Sequence, residues 1–262
     1  IDFVDKYTQA CAEAGRKPLQ GLIRLMTDAI DSGSDLDTLS FTGTRKGFIA
    51  PLPSLAFACP DDADVAVLLP ALKVLSVLAR LDLSFCRVGD LGARAIANHL
   101  KDDRRITSLN LANNDIGGGG AQAIAKALEV NDGLGVLSLA GNRIGDEAGL
   151  AIATMLQVNI TLHTLDLSSA HLSSQSLIPL STVLRSNTTI TSFDVSNNVE
   201  DGPHRKSLHA DSIAHVGRTI RSNGTLKTLG LARMAVDDWM VTDHLAAAVG
   251  RNAALVVLDL SK

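Results

Sequence analysis

The sequence predicts an α/β solenoid, and three observations carry the prediction. An apolar frame, L-x-x-L-x-L, opens at Leu78, Ile106, Leu134, Leu162 and Ile190 in steps of 28 residues, then at Leu226 and Leu255 after steps of 36 and 29. Each frame alternates with period two, the mark of a strand, and apolar residues at helical spacing follow it. A short polar residue stands between the two at a fixed place. Repetition from Leu78 to Lys262 implies a stack of like units that buries one long core and presents long surfaces.

The unit from Ile106 shows how each element arises. Leu109 and Leu111 share one face of a strand, while Ser108 and Asn110 point to the other. Asn113-Asn114-Asp115 ends the strand with side chains that bond their own backbone. Ala121, Ile124, Ala125 and Leu128 recur at i, i+3, i+4 and i+7, which predicts an amphipathic helix of about three turns. Asn131-Asp132-Gly133 stops it. Gly117 to Gly120 are expected to form a flexible repeat turn, because no Gly-Lys-Ser/Thr follows to make a phosphate loop. Asn114, Asn142 and Asn198 share one repeat position at the turn, and Cys86 stands there in the first unit.

This frame, with N/C-x-[IV]-G after it, resembles the leucine-rich repeat of the ribonuclease-inhibitor-like subclass. The resemblance covers Leu78 to Lys262. It implies a horseshoe with parallel strands on the concave face and helices on the convex face. Residues 1–35 are expected to form an N-terminal helical cap, residues 36–77 a degenerate first repeat with a long insert, and residues 78–262 the solenoid, truncated in its last repeat.

In the cap, one helix is predicted from Asp2 to Ala14, broken at Gly15. A second is predicted from Pro18 to Ala29, with Leu22, Ile23, Met26 and Ile30 on one stripe. Leu36, Leu39 and Phe41 spell the frame again, with Asp61 to Leu78 as the matching helix. Between them Thr44 to Pro60 is an apolar insert expected to fold over the solenoid end, and Pro51, Pro53 and Pro60 argue against a regular helix there. In the unit from Ile190, Val199 to Lys206 is polar and turn-rich and reads as a loop. Trp239 is expected to pack beneath the bend of the unit from Leu226, with an exposed anchor as the alternative. Leu255 to Lys262 supplies a strand without its helix, so this end is expected to be covered by further chain or by a partner.

Composition narrows the function classes. With 24 Lys and Arg against 28 Asp and Glu, and only isolated basic pairs, a cationic face for nucleic acid is not predicted. No apolar stretch approaches the roughly 20 residues of a membrane span. Three cysteines, Cys11, Cys59 and Cys86, read as reduced thiols of a cytoplasmic protein rather than a disulfide framework. The sequons at Asn159, Asn187 and Asn223 recur at one repeat position, so helix termination explains them better than glycosylation does. The histidines form neither H-x3-H nor HExxH, no C-x2-C occurs, and no metal or cofactor is predicted.

The expected role is therefore a non-enzymatic protein-protein interaction scaffold. Candidate partner-binding residues on the concave face are Arg80, Asp82, Phe85, Asn110, Asp166, Asp194 and Asp259. In and beside the inserts they are Phe48, Ile49, His204, Arg205, Lys206 and Trp239. Phe3-x3-Tyr7-x3-Cys11-x3-Gly15, followed by Lys17-Pro18, resembles the start of centrosomal and ciliary leucine-rich-repeat and coiled-coil proteins. That resemblance implies a cytoskeletal setting at a centrosome, basal body or cilium, with a coiled coil beyond the repeats; the insert before Leu78 departs from its pattern. Phe41-Thr42-Gly43-Thr44-Arg45 resembles the arginine loop of GTPase-activating proteins for Ran, which implies Arg45 as the charge-stabilising arginine. An inhibitor-like or innate-sensor-like ligand-binding repeat domain is the third alternative.

Overall fold

The computed structural model describes residues 3–32, 36–41, 59–198 and 205–261, with side chains in the last segment from residue 211 onward. Its described strands are β1 (Thr38–Ser40), β2 (Arg80–Asp82), β3 (Ser108–Asn110), β4 (Val136–Ser138), β5 (Thr164–Asp166), β6 (Ser192–Asp194), β7 (Thr228–Gly230) and β8 (Val257–Asp259). They form one parallel sheet in chain order. Register follows the frame without a slip: Leu39, Leu81, Leu109, Leu137, Leu165, Phe193, Leu229 and Leu258 lie side by side. A one-residue shift would turn that row to solvent, so burial of the frame fixes the pairing.

Behind the sheet stand α3 (Asp62–Leu72), α4 (Asp90–Leu100), α5 (Gly118–Leu128), α6 (Gly145–Met155) and α7 (Ser174–Leu184), each of 11 residues. Strands sit about 4.8 Å apart and packed helices about 8–10 Å apart, so stacking the units bends the sheet to the inner side. The core is the space between, filled by the frame residues and helix stripes such as Ile124 and Leu128. Truncating one such leucine to alanine would cost about 2–5 kcal/mol.

At the N-terminus, α1 (Phe3–Glu13) packs against α3 and α2 (Gln20–Ser32). Phe3, Tyr7 and Cys11 are the buried stripe of α1. Arg16 then reaches Asp61 at 2.8 Å and Asp64 at 2.7 Å, while Asp61 caps α3 through the amides of Ala63 and Asp64. The stripe of α2 is Leu22, Met26 and Ala29, with Ile23 at its margin. Ile30, expected on that stripe, is half exposed: Ala29 takes the inward place and Ile30 turns outward.

Two further expectations are corrected. Gly118 to Gly120 are not a flexible turn but the first turn of α5. Asp90, at the head of α4, lies against them and accepts the amides of Gly117 at 2.8 Å and Gly120 at 3.0 Å. A Cβ on Gly120 would meet Asp90 Oδ1 at 2.7 Å and Ala93 Cβ at 2.8 Å. Asp90 thus caps α5, which has only Gly117 at its own N-cap. Asp62 does the same for Gly89 at 2.6 Å, and Asp146 takes the amide and hydroxyl of Ser173. The second correction concerns Val199 to Lys206: Arg205 and Lys206 open a helix, α8 (Arg205–Ser222), whose 18 residues absorb part of the longer repeat. After β7 the chain forms α9 (Asp238–Met240), π-type turns at Val241–Ala246 and α10 (Ala247–Val249).

Two rows of side chains join the units at their edges. At the turn, Asn114 Nδ2 donates to Leu83 O in the preceding unit and Leu111 O in its own, while its Oδ1 accepts the Val88 amide. Asn142 and Asn198 repeat the pattern, and Cys86 Sγ reaches the equivalent Phe41 O at 3.2 Å. At the opposite edge, Asn131, Asn159, Asn187, Asn223 and Asn252 each accept two amides just ahead of the next strand. Their Nδ2 groups donate to carbonyls of the preceding unit, as Asn131 does to Leu100 O and Asp103 O. The nitrogens of the three sequon asparagines are all engaged in this way.

Asp103 occupies this second row but has no amide nitrogen. It accepts the amides of Arg105 and Ile106, and its other oxygen pairs with the Arg105 guanidinium. Arg105 Nη1 in turn donates to Leu72 O at 3.2 Å and Leu75 O at 2.6 Å. Those carbonyls lie 28 residues before Leu100 and Asp103, so the Asp103–Arg105 pair does the work of one asparagine. Buried His99 completes the cluster, with Nε2 3.1 Å from Asp103 Oδ2.

Three outcomes are expected. Asp90→Ala should lower unfolding stability by about 1–2 kcal/mol, the scale of a lost N-cap, in urea denaturation followed by circular dichroism. Arg105→Ala should cost about 2–4 kcal/mol, because it leaves a buried carboxylate unpaired. The double change Asp103→Asn/Arg105→Thr, which copies Asn159 and Thr161, should return to within about 1 kcal/mol of the parent; a double variant as weak as Arg105→Ala contradicts the equivalence. Third, burial holds the His99 pKa below 6.5, with Lys73 and Arg105 adding to that and Asp103 opposing it. A group depressed on folding contributes stability above its unfolded pKa and loses it as pH falls, so the melting temperature should drop from about pH 6.5 downward. His99→Gln should flatten that part of the profile.

Candidate interaction surface

The outward positions of the strands form two columns. One runs Thr38, Arg80, Ser108, Val136, Thr164, Ser192, Thr228, Val257; the other runs Ser40, Asp82, Asn110, Ser138, Asp166, Asp194, Gly230, Asp259. The pleat makes both columns continuous, because every strand is in register. Arg80 is exposed and paired with Asp37 at 2.7 Å at the first-strand end.

The carboxylates of the second column are partly committed. Asp82, Asp166, Asp194 and Asp259 each accept, through Oδ1, the amide two residues on, at 2.8–3.0 Å. Asn110 does the same for Ala112. This bond helps hold Asp259 below the usual carboxylate range, with the Ser261 amide as the first cause. These residues therefore shape the turn leaving each strand as well as the surface. Asp166 Oδ2 also accepts the Ser138 hydroxyl at 3.0 Å. Asp194 lies across Gly230, where a Cβ would stand 2.3 Å from its Oδ1.

Beyond the sheet, six successive units place the residue at one equivalent turn position in the left-handed region: Phe85, Asn113, Gly141, Ser169, Asn197 and Arg233, with φ between 54° and 66°. The amide of each still donates to the next unit, as Phe85 does to Ala112 O at 2.9 Å and Arg233 to Ser261 O at 2.8 Å. Continuing the ladder while the chain turns demands this backbone, which only Gly and Asn adopt readily. Phe85, Ser169 and Arg233 hold it because the ladder fixes both sides. Phe85 is partly buried at the rim of the face.

Sequence reasoning placed Trp239 beneath the bend; instead it is 48% exposed, and Met240 and Leu245 fill the core there. The indole makes an edge contact with His244, with centroids 5.8 Å apart. Trp239 follows the turn after β7 and is remote in sequence from the other anchors. Phe48, Ile49, Arg45 and His204 lie outside the described residues, and Arg205 and Lys206 are placed only as backbone of α8. The structure thus aligns Arg80, Asp82, Asn110, Asp166, Asp194 and Asp259 on one face, and sets Phe85 at its rim. Among the described residues no three His, Cys, Asp or Glu side chains converge as metal ligands would, and no helix is long and apolar enough to cross a membrane.

The family described as Leucine Rich repeat matches residues 75–97, 104–125, 134–153 and 158–181. No curated protein matches the chain. Among solved structures, the chain is similar to leiomodin-1 actin-binding site 2, at 26% identity and TM-score 0.49, covering 59% of this chain and 88% of that one. It is also similar to the tropomodulin C-terminal domain of Caenorhabditis elegans, at 17% identity and TM-score 0.48, covering 61% and 92%. A third likeness is to Rad7 in the yeast Rad7–Elc1 complex, at 14% identity and TM-score 0.49, covering 76% and 44%.

Proposed function

We propose that this chain, which carries leucine-rich repeats through residues 75–181, is a non-enzymatic scaffold that binds other proteins. The observation that carries the reading is the outward face of the sheet. Eight in-register strands there carry small polar side chains and carboxylates that each commit an oxygen to the following turn. Such a surface suits an extended partner, whereas a reaction centre gathers perturbed titratable groups in a cleft. Here Tyr7, Cys11, Asp61, His99 and Asp103, five of the perturbed groups, sit in packing contacts between elements.

In this reading residues 1–35 cap the solenoid and residues 36–77 form its degenerate first unit. The packing of α1 on α3 and the Arg16 bridges to Asp61 and Asp64 support that division. A cytoplasmic setting is supported by the free thiols of Cys11, Cys59 and Cys86 and by the engaged nitrogens of the sequon asparagines. The placement at a centrosome, basal body or cilium rests on the N-terminal motif, whose Phe3, Tyr7 and Cys11 form the buried stripe of α1.

The test immobilises the chain and a sheet-face variant, Ser108→Arg/Ser192→Arg, and quantifies the proteins each retains. Both serines point outward and neither closes a turn, so the unfolding free energy should stay within about 0.5 kcal/mol of the parent. Partners retained by the parent should fall by at least about fivefold on the variant, a loss of about 1 kcal/mol in binding. Retention of nothing above the bare matrix would end the scaffold reading. Diffuse signal from the tagged protein in ciliated cells would remove the cytoskeletal refinement.

A further inference from the structure

The edge where helices return to strands changes character along the solenoid. Its early connections mix charges: Arg104 pairs with Asp132 at 2.7 Å, and Lys126 with Glu129 at 2.5 Å. The four later connections, residues 156–162, 182–190, 220–226 and 249–255, contain no Asp or Glu. Arg185, Arg221 and Arg251 stand one to a connection in the last three, all exposed. None pairs with a carboxylate among the described residues. Each follows or ends a helix, whose C-terminus carries about half a negative charge, so roughly half of each cation stays unbalanced. In a chain of net charge −4 this is a local reversal of sign.

The same edge carries apolar side chains in water. Ile160 is 80% exposed, Val130 60% and Val158 56%. Ile160 borders a groove of about 470 Å³ between the C-terminal ends of α6 and α7, with Leu156 and Val183 among its apolar walls and Thr182, Ser186 and Thr188 among its hydroxyl-bearing ones. Thr182 Oγ1 lies 3.4 Å from His215 Nδ1, and the His215 pKa is held down by burial first, then by Arg218 and Arg185, against Asp211.

We propose that this groove docks a short segment of a partner protein in which a bulky apolar side chain is flanked by carboxylates. The apolar side chain lies against Ile160 and Val183, and the carboxylates face Arg185 and Arg221. Acidic flanks are favoured because the later connections offer arginines and contain no Asp or Glu, and basic flanks are repelled. The inference rests on the scaffold reading and names a surface and a partner chemistry for it.

The probe is a random peptide library displayed on phage and selected on the whole chain. Enriched peptides should share a Leu, Ile, Phe or Trp close to two or more Asp or Glu. A synthetic copy of the leading peptide should bind at least about tenfold more weakly to Val158→Ser/Ile160→Ser and to Arg185→Glu/Arg221→Glu, a loss of about 1.4 kcal/mol. Raised salt should weaken it further. These side chains are exposed, and amide shifts in the unmodified chain give a second readout, which should centre on residues 156–160 and 182–189. Enrichment of basic peptides, or binding indifferent to both double variants, overturns the assignment. Peptides lost instead on Ser108→Arg/Ser192→Arg overturn it while leaving the scaffold reading intact. No enrichment at all overturns it as well.

Discussion

No repeat in this protein satisfies its own backbone, and the rest of the structure follows from that constraint. A strand of three residues leaves carbonyls and amides exposed at both ends, and a short helix leaves its terminal groups without partners. Burying these groups unpaired would cost about 1–3 kcal/mol each. The neighbouring unit supplies what is missing, because 28 residues bring the same position round to the same place. Asn114 and Asn142 close the turn side, Asn131 and Asn159 the return side, and Asp62 and Asp90 the helix starts. Each bond spans one interface, so stability is coupled between nearest neighbours, as expected of a quasi-one-dimensional fold.

What the sequence made legible was whatever depends on one unit at a time. Strand frame, helix stripe and turn asparagine are periodic within a short window, and all three stand where that periodicity puts them. What it hid depends on pairs of units. The glycines at 117 to 120 look flexible alone; at Gly117, Gly119 and Gly120 a Cβ would press on Asp90, about one repeat earlier. Asp103 looks like a broken ladder until Arg105 is seen donating to Leu72 and Leu75. The left-handed backbone of Phe85 and Arg233 carries no local signal at all, since neither residue prefers it and the neighbouring strand imposes it. Ile30 and Trp239 failed for another reason: helical spacing and size predict burial only where an element has something to pack against.

The candidate face was legible in position but not in its chemistry. Alternation correctly assigned Asp82, Asp166, Asp194 and Asp259 to the outward column. Read from sequence they are candidate partner-binding residues; in the structure each gives an oxygen to the turn that follows its strand. A carboxylate so held is pre-oriented. That reduces the ordering cost of recognition but also limits how far the surface can adapt.

Structural duty therefore partitions each unit. The frame, both asparagine rows and the helix-start carboxylates are committed to the adjoining unit, and the outward column is half committed. In the later repeats Val158, Ile160, Ser186 and Thr188, which flank the ladder asparagines, make no side-chain bond to a neighbouring unit among the described residues, whereas Arg104, at the repeat position of Ile160, pairs with Asp132 of the next unit. Composition at such positions is set by stability only weakly, so an apolar side chain left in water there gains nothing for the fold. Selection for contact with something outside the solenoid can act at those positions without disturbing the bonds that hold the units in register. The return edge of the later repeats, uncharged except for its arginines, is where that freedom is greatest.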